Sequence, residues 1–130
     1  MTGDTKYRWR VLTAKDIAVL LGIPRRKVLY YVEHNMVKPQ IKSPGTGSKR
    51  RYNLNDAVCF DVIAKMDRLG IAPRFLKKIS KSVRELVDRG AGSISLDNIE
   101  DVTLSVALDD IRERLMTAVD AELVADEVRG

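Results

Sequence analysis

A mainly α fold with one small β-hairpin is predicted by three features of this 130-residue sequence. Apolar residues recur at helical spacing in five stretches, a Pro- and Gly-marked extended stretch separates the second from the third, and the 14.6 kDa mass fits one ordinary domain. Any second unit is therefore small or completed by a partner chain, so a dimer is expected.

Residues 8–12 read as a short extended lead-in. Thr13-Ala14-Lys15-Asp16 follows with an N-cap and an acid at the third helical position, opening a first helix whose apolar side is Ile17, Val19, Leu20 and Leu21. Gly22 ends it, because a left-handed residue is cheapest as glycine. Pro24 sits where a missing N–H costs nothing, and Val28, Leu29, Tyr31 and Val32 carry a second helix to Asn35. Two short helices joined by a tight glycine turn make a helix-turn-helix candidate.

From Met36 the pattern becomes extended as far as Lys42, breaks at Ser43-Pro44-Gly45-Thr46-Gly47-Ser48 and resumes at Lys49-Arg50-Arg51-Tyr52. That reads as a β-hairpin wing with an open edge at Pro39. Asn53 and Asp56 repeat the capping pattern and launch a third helix through Leu69, with Val58, Val62, Ile63, Met66 and Leu69 directed inward. Gly70 stops it. Pro73 opens a fourth helix, whose stripe is Phe75, Leu76, Ile79, Val83, Leu86 and Val87. Gly90-Ala91-Gly92 then marks a boundary between residues 1–89 and a small segment, 90–130. Residues 93–96 and 102–106 alternate apolar and polar, which predicts short strands, although the same stretch also fits a helix. Leu108, Ile111, Leu115, Val119 and Leu123 define a final amphipathic helix. The class is thus mainly α: a winged helix-turn-helix plus a short C-terminal segment ending in an amphipathic helix.

Charge is divided unevenly. Residues 1–81 carry 18 Lys and Arg against 6 Asp and Glu, a balance of +12, whereas residues 82–130 carry 5 against 12, a balance of −7. A basic front half suits a polyanion, and an acidic rear half is better read as a contact with protein. No apolar run is long enough to span a bilayer, and the polar start lacks a secretory signal, so the cytoplasm is expected. With one cysteine, Cys59, and one histidine, His34, neither an internal disulfide nor a zinc tetrahedron can be assembled. No Gly-rich phosphate loop is present and no catalytic grouping surrounds either residue, so no enzyme, metal or cofactor is expected. The last 49 residues contain no Phe, Tyr or Trp, which leaves few walls for a drug-sized effector.

Arg25, Arg26 and Lys27 occupy the first turn of the second helix, beside the positive end of its dipole. That placement is unfavourable alone but useful if the helix end faces DNA, where guanidinium groups read guanine edges and cations pair with phosphates. The plainer reading is a solvated basic face. Tyr30, one turn on, presents a donor and acceptor outward, while Tyr31 points into the core. His34 suits a phosphate or a helix cap equally. On the second hairpin strand Lys49 and Arg51 share one side and Arg50 and Tyr52 the other, so both faces carry a cation able to follow the backbone or enter a minor groove. The plainer reading there is an edge strand protected by charge. With Thr13, Lys15 and Lys42, these residues form the candidate DNA-binding set. The apolar face Leu108, Ile111, Leu115 and Val119 is the candidate dimerisation set.

Residues 13–79 resemble the DNA-binding domain of the MerR family of bacterial transcription regulators. The likeness lies in five pieces in register: Tyr30-Tyr31, Met36-Val37-Lys38-Pro39, the wing from Gly47 to Tyr52, the capped start Asn53 to Asp56, and Leu69-Gly70. It implies that Arg26, Lys27 and Tyr30 are recognition-helix contacts and Arg50 the wing contact, and that RNA polymerase is a further partner. Leu29, where many members have an arginine, Lys49, where many have an aromatic residue, and Ala72, where a serine commonly caps the fourth helix, depart from the pattern. Cys59 is read as a small core residue. The leading function is therefore a homodimeric regulator binding double-stranded DNA at a two-fold-related site. An excisionase-like or architectural DNA-bending factor is the alternative, and a protein-interaction module stands third.

Overall fold

The computed structural model describes residues 11–41, 51–99 and 102–129. Among these, α1 (Ala14–Leu21), α2 (Arg25–Glu33), α3 (Leu54–Arg68) and α4 (Pro73–Asp88) precede a two-stranded antiparallel sheet. Its strands are β1 (Ser93–Ile99) and β2 (Val102–Ala107), and α5 (Leu108–Arg129) closes the chain. The fold is mainly helical, as the periodicity predicts, and the alternating segment after Gly92 is the hairpin rather than a helix.

Local chemistry sets the helix starts. Thr13 accepts a hydrogen bond from the Asp16 N–H at 3.2 Å while Asp16 accepts one from the Thr13 N–H at 2.8 Å, and Asn53 and Asp56 repeat this reciprocal cap at 2.8 and 3.0 Å. Gly22 takes φ 67°, a left-handed turn that lets the chain leave α1 and enter α2 within three residues. At the start of α4 Ala72 supplies no side-chain cap, and Pro73 occupies the first turn.

Tertiary structure departs from the predicted helix faces in three places. Val19 is 62% exposed and Leu69 is 70% exposed. The eight-residue α1 buries only the side bearing Ala14, Ile17 and Ala18, and Leu69 lies past the last turn of α3, where Gly70 swings the chain outward. Third, residues 36–41 form no strand. Met36 and Val37 both bury their side chains, and both direct their N–H groups to the Tyr31 carbonyl at 2.8 and 3.2 Å, terminating α2 instead of alternating faces. Tyr52, just before α3, forms an isolated bridge with Leu12: the two exchange backbone hydrogen bonds, each 2.8 Å. The loop of the predicted wing, with Lys42, Lys49 and Arg50, lies outside the described residues.

One hydrophobic cluster runs from Leu12 through α1 to α4 and continues into Ile94, Leu96, Leu108, Ile111 and Leu115. The segment after Gly92 thus has no separate core of its own. Helices α4 and α5 both lie against α3, and every residue of it from Asp56 to Ala64 is buried. Enclosure extends to two carboxylates. Asp56 accepts from the backbone of Asn53 and Gln40 and from Arg84 Nη1 at 2.5 Å. Burial pushes its carboxyl above the usual range, against the pull of Asn53, Arg84 and Gln40. Asp61 pairs with Lys65 one turn away and with Arg114 of α5 at 2.5 Å.

The residues expected to pair two subunits are directed at the core of their own chain. Leu108, Ile111, Leu115 and Val119 are 0%, 5%, 1% and 2% exposed in the single chain, because the apolar face of α5 fits over α3.

Removing Asp56 leaves the largely buried Arg84 with only the half-exposed Asp88 as its ionic partner and strips the Asn53 and Gln40 N–H groups of their acceptor. Asp56→Ala is expected to destabilise the protein by about 3–5 kcal/mol, measured as the loss of unfolding free energy in urea. A loss below about 1 kcal/mol, the value of a surface pair, would show that Asp56 does not hold α3 to α4.

Candidate nucleic-acid interface

Helix α2 begins at Arg25 immediately after Pro24, which provides no side-chain cap, and its first turn contains no acidic residue. The leading N–H groups of the helix and three cationic side chains consequently share one end. Arg25 and Arg26 are exposed, and Lys27 keeps 45% of its side chain accessible. Such an end suits an anion, since backbone donors, the dipole and side-chain charge all act in one direction.

A compact aromatic and ionic arrangement holds this helix in place. The buried Tyr31 donates its hydroxyl to Asp67 Oδ2 at 2.7 Å, and Lys27 Nζ reaches the same oxygen at 3.2 Å. Burial, then the bond to Asp67, pushes the Tyr31 phenol far above its ordinary range, so it stays protonated and donating. Lys27 also lies 5.4 Å from the Tyr30 ring centroid, and Tyr30 packs edge-on to Tyr31 at 5.8 Å and tilted to His34 at 4.4 Å. Asp67 belongs to the last turn of α3. The recognition-helix candidate is thereby fastened at its exposed end to the most enclosed helix of the fold.

The predicted residues thus separate into groups. Arg25 and Arg26 project freely from the start of α2, whereas Lys27 divides itself between solvent and Asp67. Tyr30 is half-buried. The Leu12–Tyr52 bridge sets Arg51, which is exposed, beside the start of α1, where Lys15 is exposed and Thr13 already uses its oxygen in the cap. Lys42, Lys49 and Arg50 lie outside the described residues, so their position relative to α2 forms no part of this geometry.

The residue pattern passed over one cation. Arg68, exposed, follows Asp67, the acceptor shared by Tyr31 and Lys27. Its signal was the front-half excess of +12, which the second helix and wing do not exhaust. Arg74, Lys77, Lys78 and Lys81 extend positive charge along the exposed side of α4.

Cys59 is 3% exposed within the core, and burial pushes its thiol up to about 12, which favours the protonated form at neutral pH. Among the described residues no cluster of His, Cys, Asp or Glu could hold a metal ion, and no helix is long and apolar enough to cross a membrane.

Residues 12–83, more than half of the chain, match the model of the MerR helix-turn-helix family of regulatory proteins. The chain belongs to the MerR family. The match begins at Leu12, the residue bridged to Tyr52, and ends at Val83, on the buried side of α4. It therefore takes in the tethered α2 and the whole of the enclosed α3, and leaves out the hairpin and α5. DNA-binding transcription regulation is the role that this MerR unit carries. Comparison with curated proteins gives no match.

Loss of the tether alone tests how α2 is held. Tyr31→Phe, which keeps the ring and deletes the donor to a charged acceptor, is expected to lower unfolding free energy by about 1.5–3 kcal/mol. Equal stability of the two proteins in urea would mean that the Asp67 bond does not fix α2.

Proposed function

We propose that the protein is a homodimeric transcription regulator that binds a two-fold-related site in double-stranded DNA. The observation that carries this reading is the start of α2, where an end without a side-chain cap, exposed Arg25 and Arg26 and half-exposed Lys27 coincide. In this reading α2 enters the major groove by that end. Arg26 and Tyr30 face base edges, Arg25 and Lys27 meet phosphates, and Lys27 exchanges its bond to Asp67 for a nucleic-acid oxygen on binding. Thr13 and Lys15 touch the backbone on one side of the helix, and Arg51, with Lys42, Lys49 and Arg50 of the wing, follows it on the other. Arg68 joins the phosphate contacts.

The remaining faces agree with this orientation. The acidic rear half would be repelled by phosphate and so faces away from the duplex, where it is free to meet a second copy or RNA polymerase. Sequence selectivity rests on few residues, because Leu29 is an apolar side chain packed against the core and adds no hydrogen bond to those of Arg26 and Tyr30.

Fluorescence anisotropy with labelled promoter-region duplexes tests the reading. Affinity should fall by about 0.9 log unit per neutralised phosphate for each decade of salt, so several phosphate contacts give a steep slope. A flat response, or no binding to any duplex in dilute buffer, overturns the proposal. Arg26→Ala should weaken binding to the selected site by about 1–3 kcal/mol and relax preference at one base pair. An equal loss on all sequences would reassign Arg26 to phosphate.

A further inference from the structure

We propose that β2 is the dimer seam: the β2 strands of two copies pair antiparallel about a two-fold axis and join the two hairpins into one four-stranded sheet. This rests on the homodimer reading above and names the surface that the reading lacks, since the apolar face of α5 is enclosed within its own chain.

The sheet has two strands, of which β1 lies against α4 and α5 and β2 is the outer one, bonded to β1 alone among the described residues. Alternate residues of β2 direct their N–H and C=O groups away from β1, which leaves a row of unpaired backbone donors and acceptors. Open edges of this kind are ordinarily guarded by lysine, proline, a bulge or a covering loop. The β2 sequence, Val-Thr-Leu-Ser-Val-Ala, contains neither charge nor proline, and the register shift in the hairpin falls at its turn, between Leu96 and Ile99, rather than along the outer edge.

Charge and pairing parity select a second copy as the occupant. Residues 82–130 carry a balance of −7, so two such segments repel wherever their charged surfaces meet. Uncharged β2 is a place where they can approach. Within the hairpin Ile94 lies opposite Val106 and Leu96 opposite Leu104, so Leu104 and Val106 share the core face with two buried neighbours while remaining only partly buried themselves. Thr103, Ser105 and Ala107 are exposed on the other face. A two-fold axis centred on a residue of β2 pairs positions whose numbers differ by an even amount. Leu104 then meets Leu104 or Val106 of the other strand, small polar residues meet small polar residues, and no like charges are opposed. The added strands complete the cover over Leu104 and Val106 and convert a two-stranded ribbon, marginal alone, into a sheet of stable size. The contact is isologous and closed, as a pair of recognition helices on a two-fold site requires.

Sedimentation equilibrium of the full chain without DNA is the test, so its outcome is independent of whether any duplex is bound. The wild-type protein should have twice the 14.6 kDa chain mass. Thr103→Lys combined with Ser105→Lys should halve that mass while leaving the far-UV circular dichroism unchanged, and Glu113→Lys combined with Thr117→Lys, on the exposed side of α5, should leave the dimer intact. Ser105→Cys should form a covalent dimer on mild oxidation, and Thr117→Cys should not. The cysteine pair decides the matter even if the lysine variant fails to fold. A monomeric wild-type protein at high micromolar concentration, a lysine variant that stays dimeric, or cross-linking through position 117 in place of 105 overturns the assignment.

Discussion

Helix α3 is buried continuously from Asp56 to Ala64, and it carries two carboxylates into that enclosure. An isolated charge there would cost far more than the helix gains by packing, so each acid has a cation brought by the helix that covers it. Arg84 arrives on α4 for Asp56, and Arg114 arrives on α5 for Asp61. The pairs are directional as well as compensating. Asp56 also receives the N–H of Gln40, so one side chain sets the start of α3, the approach of the chain from α2 and the position of α4. Hydrophobic burial could be satisfied by several rotations of these helices, but the ion pairs are satisfied by few.

This rigid centre gives the exposed features their meaning. At its C-terminal end α3 presents Asp67, which accepts from Tyr31 and Lys27 and so fixes the angle at which α2 leaves the body of the protein. A recognition helix is useful only if its leading end is held, because a contact displaced by a small distance loses both bidentate geometry and electrostatic reward. The cationic end of α2 is held by bonds made behind it, which leaves Arg25 and Arg26 unconstrained in front. The acidic α5 covers α3, and β1 of the hairpin lies against both α4 and α5.

Much of this was legible in the chain itself. The caps at Thr13 and Asn53, the turn at Gly22 and the first-turn proline of α4 depend on neighbours within four residues, and all form as their spacing implies. The hairpin strands were legible as alternation and the MerR family as five short motifs in order, because recognition surfaces constrain residue types at fixed intervals. What escaped the pattern depended on distant partners. Periodicity gave α5 one apolar face but could not say whether α3 of the same chain or a second copy would cover it, and it assigned Met36 and Val37 to a strand although they cap α2 as a buried plug. Hydrophobicity alone directs Val19 and Leu69 inward, yet both side chains are largely exposed.

By itself the sequence determined the local elements, the basic-to-acidic polarity and the family, since each follows from propensity, short-range hydrogen bonding or a count of charges. Only the tertiary structure decided that the C-terminal segment is the roof of α3, that Lys27 and Tyr31 share Asp67, and that β2 is the outer strand. Those outcomes depend on which surfaces meet across long stretches of chain, and hydrophobic contact is too unspecific in one dimension to encode them; burial of paired charges in three dimensions makes the choice.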